Sequence, residues 1–343
     1  MFIAGLIVLI LLSAVFSVSI GQVHVPFGQA MKILLHALTG GRLGSLEQVD
    51  NASFVNIVMQ VRMPRVVFAL LIGIGLSLCG AVMQAVVQNP LADPYILGIS
   101  SGASLGATFA ILVGFGSGTI LSQFGVASAA FIGATVTALG VLLLSSIGGR
   151  ATSVKLVLSG VVVGSMCGSF SSLITYFAND AEGIKSVTFW MMGSLGSASW
   201  GKVPVMAGVV LAGSLLFLLQ HRILNTMLLG DESAVTLGIN LSLYRKLYMA
   251  GAALVTGTMV AYAGMIGFVG LIIPHIVRGM FGADHKRLMP ASLLLGSLFL
   301  IWADILSRTL VHNVELPIGI ITSVIGSPVF IYMIIKKGYN FGG

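Results

Sequence analysis

The chain has 343 residues, 57% of them hydrophobic and only 8% charged, with a formal charge of +7 and a mean hydropathy of +1.06. A soluble domain carries about a quarter charged residues, so no water-facing surface can be made from this inventory and the chain belongs in a bilayer. The basic excess then reads as topology, because no basic run or basic–aromatic platform is present to hold a nucleic acid.

A span needs about 20 mostly apolar residues. Such runs predict helices near 2–21, 62–87, 92–113, 125–147, 155–177, 203–220, 246–264, 266–280, 290–309 and 317–335. The expected fold is therefore an all-α integral membrane protein of about ten transmembrane helices in one bundle, a single domain over 1–343. The first run has no basic leader and exceeds a signal-peptide core of about 7–15 residues, so it reads as a span. The eighth is short and carries Pro274, which predicts a kinked or partial crossing. Two connections are long, 22–61 and 178–202, the second with Trp190 and Trp200 as interfacial anchors.

Ten crossings put both termini on one side. With the termini cytoplasmic, the inner basic set is Arg150, Lys155, Arg222, Arg245, Lys246, Arg278, Lys286, Arg287, Lys336 and Lys337. The outer set is Lys32, Arg42, Arg62, Arg65, Lys185, Lys202 and Arg308. That bias orients the chain, and Lys336-Lys337 directly after the last apolar run strengthens it. Gly98, Gly102 and Gly106 recur at spacing four, as do Gly160, Gly164 and Gly168, giving smooth strips for close helix approach. Cys79 and Cys167 lie inside apolar runs and read as small packing residues.

No phosphate-binding loop or zinc-protease pattern is present. There is no GxxxxGK[ST] loop and no HExxH, and the six histidines (24, 36, 221, 275, 285, 312) are never paired at helical spacing. Asp304 is the one acid inside a span, four residues before Arg308 and able to pair with it. Asp93, Asp231, Glu232 and Asp284 fall in cytoplasmic loops. An ion-coupled carrier needs acids near the midplane, so an ATP-independent channel or carrier is the weaker reading. An intramembrane enzyme is weaker still, with only Asp304 and Arg308 as candidate catalytic residues.

Four segments are more polar or more proline-punctuated than lipid-facing helices require. Arg62-Met63-Pro64-Arg65 opens the second helix; Pro64 suits a first turn, but two arginines there oppose the helix dipole. Gln84 to Pro94 ends the same helix in a rigid Asn-Pro turn. Leu228 to Gly238 lies in the cytoplasmic loop 221–245 and predicts a short helix presenting leucine and valine, begun by Asp231 and Glu232 and capped by Gly238. Gly264 to Pro290 joins a broken apolar segment to a basic turn.

In this order, RMPR (62–65), QNPLADPYILGISSGA (88–103), WMMGSLG (190–196), GDESAVTLG (230–238), GFVGLIIPHIVR with GADHKRLMP (267–290), AD with R (303–308) and ELPIGIITSVIGSPVF (315–330) resemble the FecCD-type permease subunits of ABC importers for iron–siderophore, haem or vitamin B12. The resemblance covers nearly the whole chain. It implies a type II importer architecture in a prokaryotic cytoplasmic membrane, with both termini cytoplasmic. It also implies a homodimer of this chain, two cytoplasmic ATP-binding subunits that use ATP and Mg, and an extracytoplasmic substrate-binding protein. The chain itself would bind no cofactor or metal and hydrolyse nothing, and its other contacts would be membrane lipid. An iron chelate (siderophore or haem) is the expected cargo, with cobalamin as the alternative.

By the same resemblance Arg62, Arg65 and Arg308 would dock the binding protein through its glutamates. Asn89, Pro90 and Leu91 would form a cytoplasmic gate, joined by Thr152 and Ser153 before the fifth helix. Leu228, Leu229, Gly230, Asp231, Glu232, Ala234, Val235, Leu237 and Gly238 would seat in the ATPase.

Overall fold

The computed structural model describes residues 2–44, 46, 49–114, 125–147, 152–230 and 236–336. Its helices are α1 (Phe2–Ser19), α2 (Phe27–Thr39), α3 (Ala52–Asn56), α4 (Met63–Val87), α5 (Ile99–Thr108), α6 (Val126–Ser146), α7 (Ser153–Phe177), α8 (Ala181–Met191), α9 (Val203–Leu219), α10 (His221–Leu228), α11 (Leu241–Ala263), α12 (Val269–Phe281), α13 (His285–Thr309) and α14 (Ile318–Lys336). A π-helical stretch, Ile57–Arg62, joins α3 to α4, and another, Phe109–Val113, extends α5. The runs Phe2–Ser19, Ala52–Val87, Val126–Ser146, Ser153–Phe177 and His285–Thr309 are each long and apolar enough to cross a membrane. Together with α9 and α10, the shorter apolar helices Ile99–Val113, Val269–Phe281 and Ile318–Met333, and α11, this set is compatible with about ten crossings.

α4 is the central post, packed by α13, α12, α9 and α11. Its small residues make that packing close. A Cβ on Gly73 would run into the backbone of Gly296 and Ser297, and one on Gly80 into the backbone of Gly270. In a bilayer, where the hydrophobic effect does not drive helices together, such backbone approach supplies the contact energy. A second group, α5, α6 and α7, uses the first predicted glycine strip. Gly102 meets Gly133 and Thr137, Gly106 meets Ala129, and Gly98 lies against Gly160 and Gly164. Gly168, in the second strip, faces open space. A smaller apolar cluster of Val18, Val25, Ala30, Ile33, Leu34, Val58 and Val66 fastens α2 to α1 and to the start of the α4 run.

Several boundaries differ from the sequence expectation. The second helical run begins at Ala52, not at 62, because Asn51 accepts the Ser53 N–H at 2.9 Å as an N-cap and the π-helical stretch carries the helix through to Met63. The third is broken. Asp93 caps a 3₁₀ turn, Pro94–Leu97, and Gly98 takes a left-handed φ of 69° before α5 starts. α2 and α8 occupy the two long connections, 22–61 and 178–202.

α12 has 13 residues, about 20 Å at 1.5 Å per residue, short of an apolar core about 30 Å thick. The short helix expected around Pro274 is thus present. Pro274 has no N–H to give the carbonyl one turn back, and the Gln84 amide serves that turn instead, reaching the Gly270 and Leu271 carbonyls at 3.5 and 3.2 Å.

Candidate functional site

Polar chemistry collects at the two ends of the bundle. At one end lie Arg62, Arg65 and Arg308, each 5–7% exposed. Arg62 donates to the Val18 and Ser19 carbonyls at 2.7 and 2.9 Å and also to that of Val23. Arg308 donates to Ile20 O at 2.8 Å and to the Ser17 hydroxyl at 2.8 Å. Both guanidiniums therefore close the C-terminus of α1. This resolves the dipole conflict read from the sequence: Arg62 lies six residues beyond the Asn56–Ile57 junction of a continuous helical run, and the terminus it faces is the negative end of another helix.

Arg65 is held differently. Its Nε meets Asp304 at 2.6 Å, and its two terminal nitrogens grip the Glu315 carboxylate at 3.0 and 2.8 Å. Asp304 reaches Arg308 as well, at 3.0 Å, which is the pair its spacing predicted. One buried carboxylate thus serves two guanidiniums, and Glu315, with its side chain 35% exposed, is the member nearest solvent. The three arginines expected to dock the binding protein each have acceptors within the chain. A buried guanidinium needs acceptors in place, and carbonyls and two acids from distant segments supply them.

At the opposite end the turn after α4 gathers the gate candidates. Gln88 adopts a left-handed φ of 54°, ending the helix. The Asn89 carboxamide oxygen accepts the Leu91 N–H at 2.9 Å, which rigidifies the turn while the side chains of Asn89 and Leu91 stay exposed and Pro90 is buried. Thr152 caps α7, accepting the Lys155 N–H at 3.4 Å, and the Ser153 hydroxyl lies 3.4 Å from the Val86 carbonyl. The two gate stretches, more than 60 residues apart in sequence, therefore meet at the C-terminus of α4. Buried Arg245 donates to the same Val86 carbonyl at 3.3 Å.

α10 packs beside this turn. Leu224 and Met227 are buried, Leu228 packs partly against the core, and Leu229 and Leu237 are exposed. Gly230 and Gly238 both take positive φ, as the expected turn and cap require. Asp231, Glu232, Ala234 and Val235 lie outside the described residues. Asn225 and Gln88 were not singled out for contact with one another's neighbourhood by the sequence, yet they anchor α10. Asn225 donates to Asp284 at 2.7 Å and Gln88 to Met227 O at 2.7 Å. The Asn225 amide, and then the Lys286 N–H, hold the exposed Asp284 carboxyl below the usual carboxylate range.

Between the ends, α7 presents an uncovered face. Only 17% of its most apolar window is buried, against 83% for the Ala52–Val87 run. Its buried positions are Leu156, Gly160, Val163 and Cys167. Opposite them, at helical spacing, Ser165, Gly168, Ser169, Ser172 and Tyr176 are exposed, and so are Leu158, Val161 and Val162 on the same side. Among the described residues no group of three or more His, Cys, Asp or Glu side chains comes together to hold a metal ion.

The model of the FecCD transport family matches residues 7–336. The hemin transport system permease protein of Yersinia pestis is 37% identical over 287 residues, 84% of this chain and 85% of that protein. A cobalamin import system permease protein of Halobacterium salinarum is 40% identical over 278 residues, covering 81% and 73% respectively. Among solved structures, one described as an inward-facing conformation of an ABC transporter of metal-chelate type superposes with a TM-score of 0.82 at 30% identity, covering 98% of this chain and 99% of the other.

Proposed function

The chain belongs to the FecCD transport family, and on that footing we propose that it is the membrane-spanning permease subunit of an ABC importer for a metal chelate, with two copies enclosing one path. The observation that carries the path is the exposed stripe on α7. Hydroxyls and glycine on a bilayer helix belong against another helix or water, not hydrocarbon. A second copy seated there would turn two such stripes toward one another. Haem or a ferric siderophore is the favoured cargo and cobalamin the alternative, in keeping with the hemin and cobalamin permeases it resembles.

Energy comes from two partner ATPases, which use ATP and Mg, and the chain contributes no ATP site of its own. The segment Leu228 to Gly238 seats them, and exposed Leu229 and Leu237 favour that role. Both termini lie in the cytoplasm, so the arginine end faces outward and receives the binding protein. There Arg62 and Arg308 shape the docking surface from beneath. Arg65 engages a partner carboxylate directly, in exchange for Glu315. Asn89, Pro90, Leu91, Thr152 and Ser153 form the inner gate.

Vesicle uptake by the chain reconstituted with its ATPase and binding protein tests the proposal, with haem, a ferric hydroxamate and cyanocobalamin as probes. ATP-driven uptake of one of them is expected. Failure of ATP to drive any of the three would refute it.

A further inference from the structure

α10 has only eight residues, about 12 Å, too short to hold its shape or place alone. It is also flanked by two pivots. The chain bends by 61° between α9 and α10, and Gly230 follows with a φ of 90°. An element between two pivots passes on a push only through the side chains that fasten it to its neighbours.

Two side chains do so directionally. Asn225, in the middle of α10, uses its whole amide on the start of α13: Nδ2 donates to Asp284 Oδ1 at 2.7 Å, and Oδ1 accepts the His285 backbone N–H at 2.9 Å and its Nδ1–H at 2.8 Å. Gln88, at the end of α4, donates to the Met227 carbonyl at 2.7 Å, and Asn89 to Leu91 follow it directly. α10 is thereby bonded both to the gate turn and to α13, whose far end carries Asp304 and Arg308. The apolar contacts of Leu224 and Met227 add burial but are non-directional, whereas hydrogen bonds of this geometry fix direction.

Given the reading of this loop as the ATPase seat, on which this rests, we infer that Asn225 and Gln88 are the positioning residues that carry a displacement of α10 to the gate turn and to α13. Without them the displacement is absorbed at the pivots. ATP is then hydrolysed with little cargo moved.

The test is cargo imported per ATP hydrolysed, in vesicles holding the full complex and loaded outside with haem, a ferric hydroxamate or cyanocobalamin. N225D keeps the acceptor for His285 but sets a second carboxylate against Asp284. The double variant N225D/D284N restores the bond with donor and acceptor exchanged, and asparagine caps a helix as well as aspartate does. Q88N tolerates the left-handed conformation but is too short to reach Met227. N225D should lower the ratio about tenfold and Q88N about fivefold, the scale of a lost hydrogen bond, while complex assembly and ATP hydrolysis persist. The double variant should return to within about twofold of wild type, as a specific pair requires. Wild-type ratios in both single variants would overturn the inference, and so would a double variant no better than N225D. A wild-type complex that imports none of the probes refutes the importer reading itself, and this inference with it.

Discussion

At the arginine end, three guanidiniums are buried against two carboxylates and the carbonyls of α1. At the proline-turn end, Asn89, Leu91, Thr152 and Leu229 are exposed around hydrogen bonds from Gln88 and Ser153 to backbone carbonyls and from Asn225 to the exposed Asp284 carboxylate, beside the buried Arg245. The difference is one of cost. Removing a partner from buried charge strands an ion in a low dielectric, whereas removing an exposed or neutral partner leaves water or a modest deficit. The first end is built to keep one arrangement, whereas at the second the exposed turn residues change arrangement more cheaply than the buried Arg245 beside them.

The largest effect should come from Asp304→Ala, which leaves Arg65 and Arg308 without their shared carboxylate. A loss of about 3–5 kcal/mol is expected, read as a fall in thermal unfolding midpoint in nanodiscs, and an unchanged midpoint would end the contrast between the ends. Next comes Arg62→Met, which removes the donors to Val18, Ser19 and Val23. It should cost about 2 kcal/mol and raise amide exchange in the last turn of α1 while α4 stays protected; uniform exchange in both helices would contradict the cap. For the same reason, reversing Arg62 and Arg65 to Glu should disturb folding before it reports on docking.

Leu229→Asp combined with Leu237→Asp should weaken ATPase binding about tenfold without moving the unfolding midpoint, because both side chains are exposed. Destabilisation of the isolated chain would show instead that this loop is part of the core. The smallest effect belongs to Glu315→Gln. It frees Arg65 of one charge while Asp304 remains, so binding-protein docking should tighten about threefold at low salt. Weaker docking would make Glu315 itself the contact.

The membrane class, the approximate spans and the close-packing role of the Gly98–Gly106 strip were legible in the chain, because each depends on composition or on neighbours within one helix. The break at Pro94 and Gly98 was less so, since its apolar residues continue across it. The site was legible as a set of residues but not as an arrangement. Arg62, Arg65 and Arg308 stood out as charge next to apolar runs, yet nothing local tells that two of them close α1, or that Arg65 meets acids some 240–250 residues away. Gln88 and Asn225 gave weaker signals still, being neutral residues in turns.

What the sequence alone determined is that this chain spans a bilayer about ten times and keeps its charged side chains near the helix ends, since hydrocarbon disfavours them elsewhere. Only the tertiary structure decided which charges are spent internally and which side chains remain available. That outcome depends on which helix ends meet, and helix ends meet through packing of backbones at Gly73 and Gly80 that no local pattern specifies.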